Sequence, residues 1–108
     1  MYLWNDGSKY KGFWKNNKFN GFGDYTWPDG RRYIGFWQKN NMHGFGKIEY
    51  EDRRHYKGNF ENDKKHGEGV LTEPNGNRFE GVFLNDSPDV GTYFNSQGKI
   101  IKTICKSE

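Results

Sequence analysis

A step of 23 residues runs through this chain and restricts what it can fold into more than any other feature. Tyr10, Tyr33, Tyr56 and Phe79 are separated by it, since 33 − 10, 56 − 33 and 79 − 56 all equal 23. Gly12, Gly35, Gly58 and Gly81 keep the same step, as do Trp14, Trp37, Phe60 and Phe83. So do Gly21, Gly44 and Gly67, each with a second glycine two places on: Gly23, Gly46 and Gly69. Tyr25, Ile48 and Leu71 follow in register. A fixed period of this length marks a repeat architecture, in which each unit buries its apolar side only against its neighbours.

Each unit reads as a β-hairpin. Lys9 to Lys15 is short, aromatic and alternating, which predicts a strand, and Phe22 to Trp27 reads the same way. Asp29-Gly30 between Trp27 and Tyr33 is a hairpin turn signal, because glycine supplies the positive φ such turns need. Asp6-Gly7 and Asn75-Gly76 match it, and Asp52-Arg53 is the exception. Lys15 to Asn20 is expected to link one hairpin to the next. Asn17, Asn40, Asp63 and Asp86 recur inside that linker, and Asn and Asp tolerate left-handed backbone, so a tight turn is expected there.

Strand alternation sorts the side chains onto two faces. Tyr10, Gly12 and Trp14 share one with Gly23, Tyr25 and Trp27; later units add Tyr33, Trp37, Ile48, Tyr50, Tyr56, Phe60, Leu71, Phe79 and Phe83. That face is expected to be aromatic from end to end, with the glycines making room for rings. The other face carries Phe13, Phe22, Ile34, Phe36 and Phe45 early, then Lys57, Asn59 and Glu68. Its apolar first half predicts a contact surface.

The ends deviate. Asp89-Val90-Gly91 stands in for Gly-x-Gly with one residue fewer, and Gly98 restores the turn. Ile101 to Cys105 reads as a capping strand, with Thr103 where the repeat wants glycine. Tyr2 and Trp4 begin in the middle of a unit, so the first edge is expected to be covered by more repeat or by something else.

These residues resemble the MORN (membrane occupation and recognition nexus) repeat. The resemblance lies in Tyr10-Lys11-Gly12-Phe13-Trp14 with Gly21-Phe22-Gly23, and in Tyr33-Ile34-Gly35-Phe36-Trp37 with Gly44-Phe45-Gly46. Tyr56-Lys57-Gly58-Asn59-Phe60 with Gly67-Glu68-Gly69 is a third copy, and Phe79-Glu80-Gly81-Val82-Phe83 a degenerating fourth. Asn or Asp stands where the family's linker usually has glycine. The resemblance implies an elongated, twisted single-layer sheet with an aromatic groove. It also implies roles in cytoskeletal or ciliary scaffolding, dimerisation, phosphoinositide-mediated membrane association, or service beside an enzyme.

The expected fold is therefore all-β: an elongated single-layer solenoid of twisted antiparallel β-hairpins forming one array over residues 1–108. About four 23-residue repeats have cores near 10–32, 33–55, 56–78 and 79–98, with a C-terminal cap strand over about 99–105.

Composition narrows the function classes. Hydrophobic residues are only 31% of the chain, which alone points toward disorder, but 19% aromatic residues argue for a thin ordered structure. The formal net charge of +3 favours anionic partners weakly. One cysteine excludes an intrachain disulfide framework and suits a reducing compartment. No apolar stretch reaches the roughly 18–20 residues of a membrane span, and no secretory signal precedes Asp6. The expectation is a cytoplasmic protein, cytoskeleton- or cilium-associated or membrane-peripheral.

Three sets of residues are candidates for chemistry. His43 and His66 precede Gly44 and Gly67 at the place of Asn20 and Asp89, and their periodicity favours turn hydrogen bonding over acid–base or metal work. Cys105 reads as a packing residue. No paired carboxylates, phosphate loop or nucleophile elbow occurs, so no catalytic residue, metal or cofactor is expected. The second set is a basic ladder, with Lys9, Arg32, His55 and Arg78 at one repeat position, Arg31, Arg53 and Arg54 beside them, and Lys11 and Lys57 following. Lys9, Arg31, Arg32, Arg54 and Arg78 would hold anionic lipid, or form a solvated edge neutralised by Asp24, Asp29, Glu49 and Asp52. Nucleic acid fits poorly, since the rings are committed to packing. The third set is the aromatic groove: Tyr10, Trp14, Tyr25, Trp27, Tyr33, Trp37, Tyr50, Tyr56 and Phe60. Rigid rings in a groove anchor protein partners, so an amphipathic helix or peptide laid along it is the leading expectation. The chain then acts as a non-enzymatic scaffold, with dimer or end-to-end contacts allowed. The alternatives are a peripheral membrane module and a regulatory module of a larger enzyme.

Overall fold

A computed structural model describes residues 2–106 and shows one open antiparallel sheet of ten strands in chain order. They are β1 (Tyr2–Leu3), β2 (Lys9–Lys15), β3 (Lys18–Thr26), β4 (Arg32–Gln38), β5 (Asn41–Glu49), β6 (His55–Glu61), β7 (Lys64–Thr72), β8 (Arg78–Leu84), β9 (Ser87–Phe94) and β10 (Ile100–Cys105). The sheet measures 43 × 30 × 16 Å. Nine inter-strand steps of about 4.8 Å account for the long axis, and the short axis is one layer with its side chains.

The linker expected over Lys15–Asn20 is instead a two-residue turn. Asn16 and Asn17 both have positive φ (52° and 63°), and Lys15 pairs directly with Lys18. Two successive left-handed residues give a hairpin turn whose twist matches that of the strands, so the chain reverses at once and β3 begins at Lys18. Lys39-Asn40, Asn62-Asp63 and Asn85-Asp86 repeat this turn. At the opposite edge, Gly30 N–H donates to Trp27 O (3.1 Å) and Trp27 N–H to Arg31 O (2.9 Å), closing a three-residue loop with Gly30 in the left-handed region. Arg53 takes the corresponding place in the next loop at φ 76°, a conformation that costs a side chain with a Cβ about 1–2 kcal/mol.

The core is a row of rings folded over a row of glycines. Gly12, Gly23, Gly35, Gly46, Gly58, Gly69, Gly81 and Gly91 pair strand to strand across the sheet. Ile104, not Thr103, ends that row, because β10 slips register between Ile100 and Lys102; Thr103 lies opposite Thr92. Tyr10, Tyr33 and Tyr56 are fully buried, each lying flat over a glycine pair. A Cβ on Gly46 would come within 2.2 Å of the Tyr33 hydroxyl oxygen. Tyr33 Oη donates to Phe36 O, Tyr10 Oη to Phe13 O and Tyr56 Oη to Asn59 O, each at 2.8 Å. Phe13 has no partner in β3, since three β3 residues lie between the pairs Gly12↔Gly23 and Trp14↔Phe19. The tyrosine hydroxyl thus satisfies a carbonyl that the bulge takes out of the ladder.

Turns of one repeat are tied to strands of the one before. The Asn40, Asp63 and Asp86 side chains accept from the backbone N–H of Phe19 (2.8 Å), Met42 (2.7 Å) and Lys65 (2.8 Å). Their own N–H groups donate back to the carbonyls of the same three residues. Glycine at these positions would keep the backbone but lose the first bond of each pair.

Candidate functional site

The groove lies on the ring-bearing face and spans the first two repeats, with the partial unit before them at one end and the first turn of the third at the other. It encloses about 780 Å³ between Tyr2, Trp4, Trp14, Phe19, Tyr25, Trp27, Trp37 and Met42, with Asn17, Arg31, Asn40 and Asp63 at its rim. Phe19 stacks flat on Tyr10 (centroids 3.8 Å apart, 7° between planes) and meets Trp14 and Trp37 edge-on at 4.8 and 5.2 Å. Tyr25 bridges Trp4 and Trp27 at 5.8 and 4.7 Å. Trp37 donates its indole N–H to Gly23 O (3.3 Å), fixing its ring as the groove's back wall.

Rings run the length of the face, as alternation suggested, through Tyr56, Phe60, Phe79, Phe83 and Tyr93, but the open groove does not. The position held by Phe19 and Met42 in the first two repeats is held by Lys65 in the third and Pro88 in the fourth. The position of Trp4, Trp27 and Tyr50 becomes Glu73. Lys65 lays its ammonium over the rings of Tyr50 and Tyr56, so that stretch of groove is occupied from within.

Nine residues were expected to line the groove, and they separate by depth. Tyr10, Tyr33 and Tyr56 are fully buried and Trp37 and Phe60 nearly so; of these five only Trp37 lines the groove, and the other four belong to the core beneath the rings. Tyr10, Tyr33 and Tyr56 lie over the glycine row and Phe60 packs edge-on against Tyr33 and Tyr56, so these four have almost no exposed surface to offer a partner. Burial also raises the Tyr10, Tyr33 and Tyr56 hydroxyls above the usual phenol range, and the Asp63 charge adds to this at Tyr33. Trp14 is 44% exposed, and Tyr25, Trp27 and Tyr50 are half-buried, so these four present ring surface. Alternation missed Phe19 and Met42 because the residue type changes at every step of their row. Trp4 and Asp63 were visible only as a partial unit and a turn residue.

The basic ladder resolves into two sets. Register places Lys9, Arg32, His55 and Arg78 in one row on the opposite face, interleaved with Thr26, Glu49, Thr72 and Phe94. Arg32 binds Asp24 through two nitrogens (3.0 and 2.6 Å), which raises its pKa, and Arg78 pairs with Glu80. Arg31 and Arg54 lie instead over Trp27 (4.8 Å) and Tyr50 (5.3 Å), held by Asp29 and Asp52 at 2.9 and 2.8 Å. Hydrogen bonds from the Arg31 and Arg54 backbone are the main reason that Asp29 and Asp52 sit below the usual carboxylate range. Four of the five lipid-ladder candidates are thus engaged by acids of the chain; Lys9 is exposed at the start of β2.

On that opposite face Phe13, Phe22, Phe36 and Phe45 are exposed, with Phe22 and Phe36 in edge-on contact at 5.5 Å. His66 accepts from Asn85 N–H through Nδ1 (3.5 Å), while Nδ1 of His43 is buried without a partner. No group of three His, Cys, Asp or Glu that could hold a metal occurs among the described residues.

With that geometry in view, the family model described as MORN repeat matches residues 10–31, 33–53 and 56–78. No curated protein matches the chain. The three matched segments coincide with the three units that carry a tyrosine over the glycine pair, and the unmatched fourth has Phe79 there.

Proposed function

This chain belongs to the MORN-repeat family, and on that premise we propose that it is a binding scaffold that takes a peptide or helix of a partner protein into the aromatic groove of its first two repeats. MORN repeats are generally protein- and lipid-interaction modules and are typically non-catalytic. The observation that carries the reading is the half-open ring cluster of Trp4, Trp14, Phe19, Tyr25 and Trp27. Rings on a hydrogen-bonded sheet are ordered before binding, so little side-chain entropy is lost when a partner docks. Peptides selected from a displayed random library against the purified chain should lose binding to Trp14→Ala and Trp27→Ala variants that keep the wild-type circular dichroism. Unchanged affinity in both variants overturns the reading.

A second reading has its own observation. The exposed Phe13, Phe22, Phe36 and Phe45 share their face with Lys11, Lys47 and Lys57, a combination suited to an anionic bilayer surface. Co-sedimentation with phosphoinositide-containing liposomes tests it. Wild type should sediment at physiological salt, Phe22→Ser/Phe36→Ser and Arg32→Glu/Arg78→Glu should not, and failure of wild type to sediment removes the reading.

A further inference from the structure

The third repeat already holds a cation in its groove. Lys65 Nζ lies 5.4 Å from the centre of the Tyr50 ring and 5.8 Å from that of Tyr56. It donates to the Tyr50 hydroxyl (3.1 Å) and stands 3.7 Å from the carboxylate of Asp86, which belongs to the next turn along. The site is two rings and one carboxylate, and its lysine side chain is only 13% exposed.

Moving every member back by 23 residues gives Met42, Trp27, Tyr33 and Asp63. Both ring positions and the carboxylate are kept; Tyr33 is fully buried, Trp27 offers a larger ring in place of the Tyr50 hydroxyl, and the cation is replaced by a thioether. Asp63 Oδ1 accepts from Met42 N–H as Asp86 Oδ1 does from Lys65 N–H, so the carboxylate is held in the same way. Asp63 lines the open groove with Trp27 and Met42, and forms no ion pair among the described residues. Arg31, the other charged residue of the lining, is engaged by Asp29, lies 3.6 Å from Glu51 and already rests over Trp27 at 4.8 Å; in the third repeat Arg54 holds that place over Tyr50, and the ring takes Lys65 as well. Tryptophan is also the ring that attracts a cation most strongly.

We propose that the groove recognises a basic side chain of its partner, a lysine or arginine whose cation rests over Trp27 beside Asp63. This rests on the peptide-groove reading above and adds the partner's chemistry to it. The first repeat has Asn40 in place of the acid and Phe19 in place of the cation, so its part of the groove takes an apolar side chain. Equivalent positions lie two strands apart, roughly 10 Å. An extended peptide covers that in about three residues. The partner sequence therefore carries a basic residue about three places from a large apolar one.

The test uses two displayed libraries of random dodecapeptides, one complete and one lacking Lys, Arg and His. Asp63→Asn is the matched variant, because Asn40 occupies the equivalent turn with the same left-handed backbone and the same backbone bond. The complete library should yield the tighter binders, with a shared Lys or Arg. Changing that residue to Met should weaken binding to wild type about tenfold, and Asp63→Asn should weaken the parent peptide about tenfold. The Met peptide should bind wild type and Asp63→Asn equally, so that the two changes couple. Equally tight binders from the library without basic residues, or equal weakening of both peptides by Asp63→Asn, overturns the proposal and leaves the groove reading standing. If no peptide from either library shifts the groove tryptophan resonances, the groove reading fails and this proposal with it.

Discussion

The first two repeats and the third share a backbone, a glycine row and a tyrosine hydrogen bond, yet one stretch of groove is open and the other filled by the chain's own lysine. Tyr33 and Tyr56 make the same 2.8 Å bond to the carbonyl three residues on. Asp63 and Asp86 accept from the same backbone position. What differs is the residue at the start of β5 and β7, Met42 against Lys65. The comparison teaches that in this sheet the invariant parts of the repeat build the socket, and one variable position decides whether a buried thioether or a cation fills it. Conversion between the two states therefore should not disturb the fold.

The shared socket is where the largest effect is expected. Gly46→Ala puts a methyl group on the Tyr33 hydroxyl, and overpacking plus loss of a buried hydrogen bond should cost about 3 kcal/mol by chemical denaturation. Gly30→Ala, in a loop where an added Cβ meets nothing within 4 Å, suffers only its positive φ and should cost about 1–2 kcal/mol. Similar losses at both sites would mean that the ring-over-glycine contact is not what holds the sheet.

Exchanging the variable residue comes next. Met42→Lys should bring an ammonium to Asp63 and Trp27 and so occupy the open groove from within. Selected peptides should weaken about tenfold while stability falls by about 1–3 kcal/mol, since Met42 is a buried core residue and the new ion pair, being partly exposed, offsets little of its loss. Lys65→Met should leave binding to the first two repeats unchanged. An isothermal titration in which both variants behave alike would erase the distinction between the two stretches.

Smaller effects sharpen the account of the shared part. Tyr56→Phe removes the hydroxyl bonded to Asn59 O and should cost about 1 kcal/mol. The fourth repeat carries Phe79 naturally and has a shorter bulge, with Val82 paired to Val90 and Phe83 to Pro88. Arg53→Gly should stabilise the chain by up to about 1 kcal/mol, because it relieves the one loop of its kind whose left-handed position is not glycine.

Much of this was legible in the sequence because the repeat repeats chemistry as well as spacing. Tyr10, Gly12 and Gly23 recur with little change of type, so the strands, the glycine row and the faces followed from alternation. Three things did not follow. The unpaired residue opposite Asn20 to Phe22 is a bulge, and spacing alone cannot separate a bulge from a linker. Depth was hidden because Tyr10 and Tyr25 occupy one face, and only the ring folding over Gly23 sends the first to the floor and leaves the second at the wall. The extent of the groove was hidden in a row running Phe19, Met42, Lys65, Pro88, which keeps its spacing and changes its chemistry at each step. The slip that put Ile104 rather than Thr103 on the glycine row is one irregular residue in the last strand.

The measurement that tests the central claim most directly is a chemical-shift map of a selected peptide on the isotope-labelled chain. The account predicts shifts at the indole N–H groups of Trp4, Trp14 and Trp27 and at the Met42 methyl, with the Lys65 and Leu71 side chains and the Phe22–Phe36 pair unmoved. Shifts centred on Phe22, Phe36 and Phe45, or on the stretch around Lys65, would contradict it.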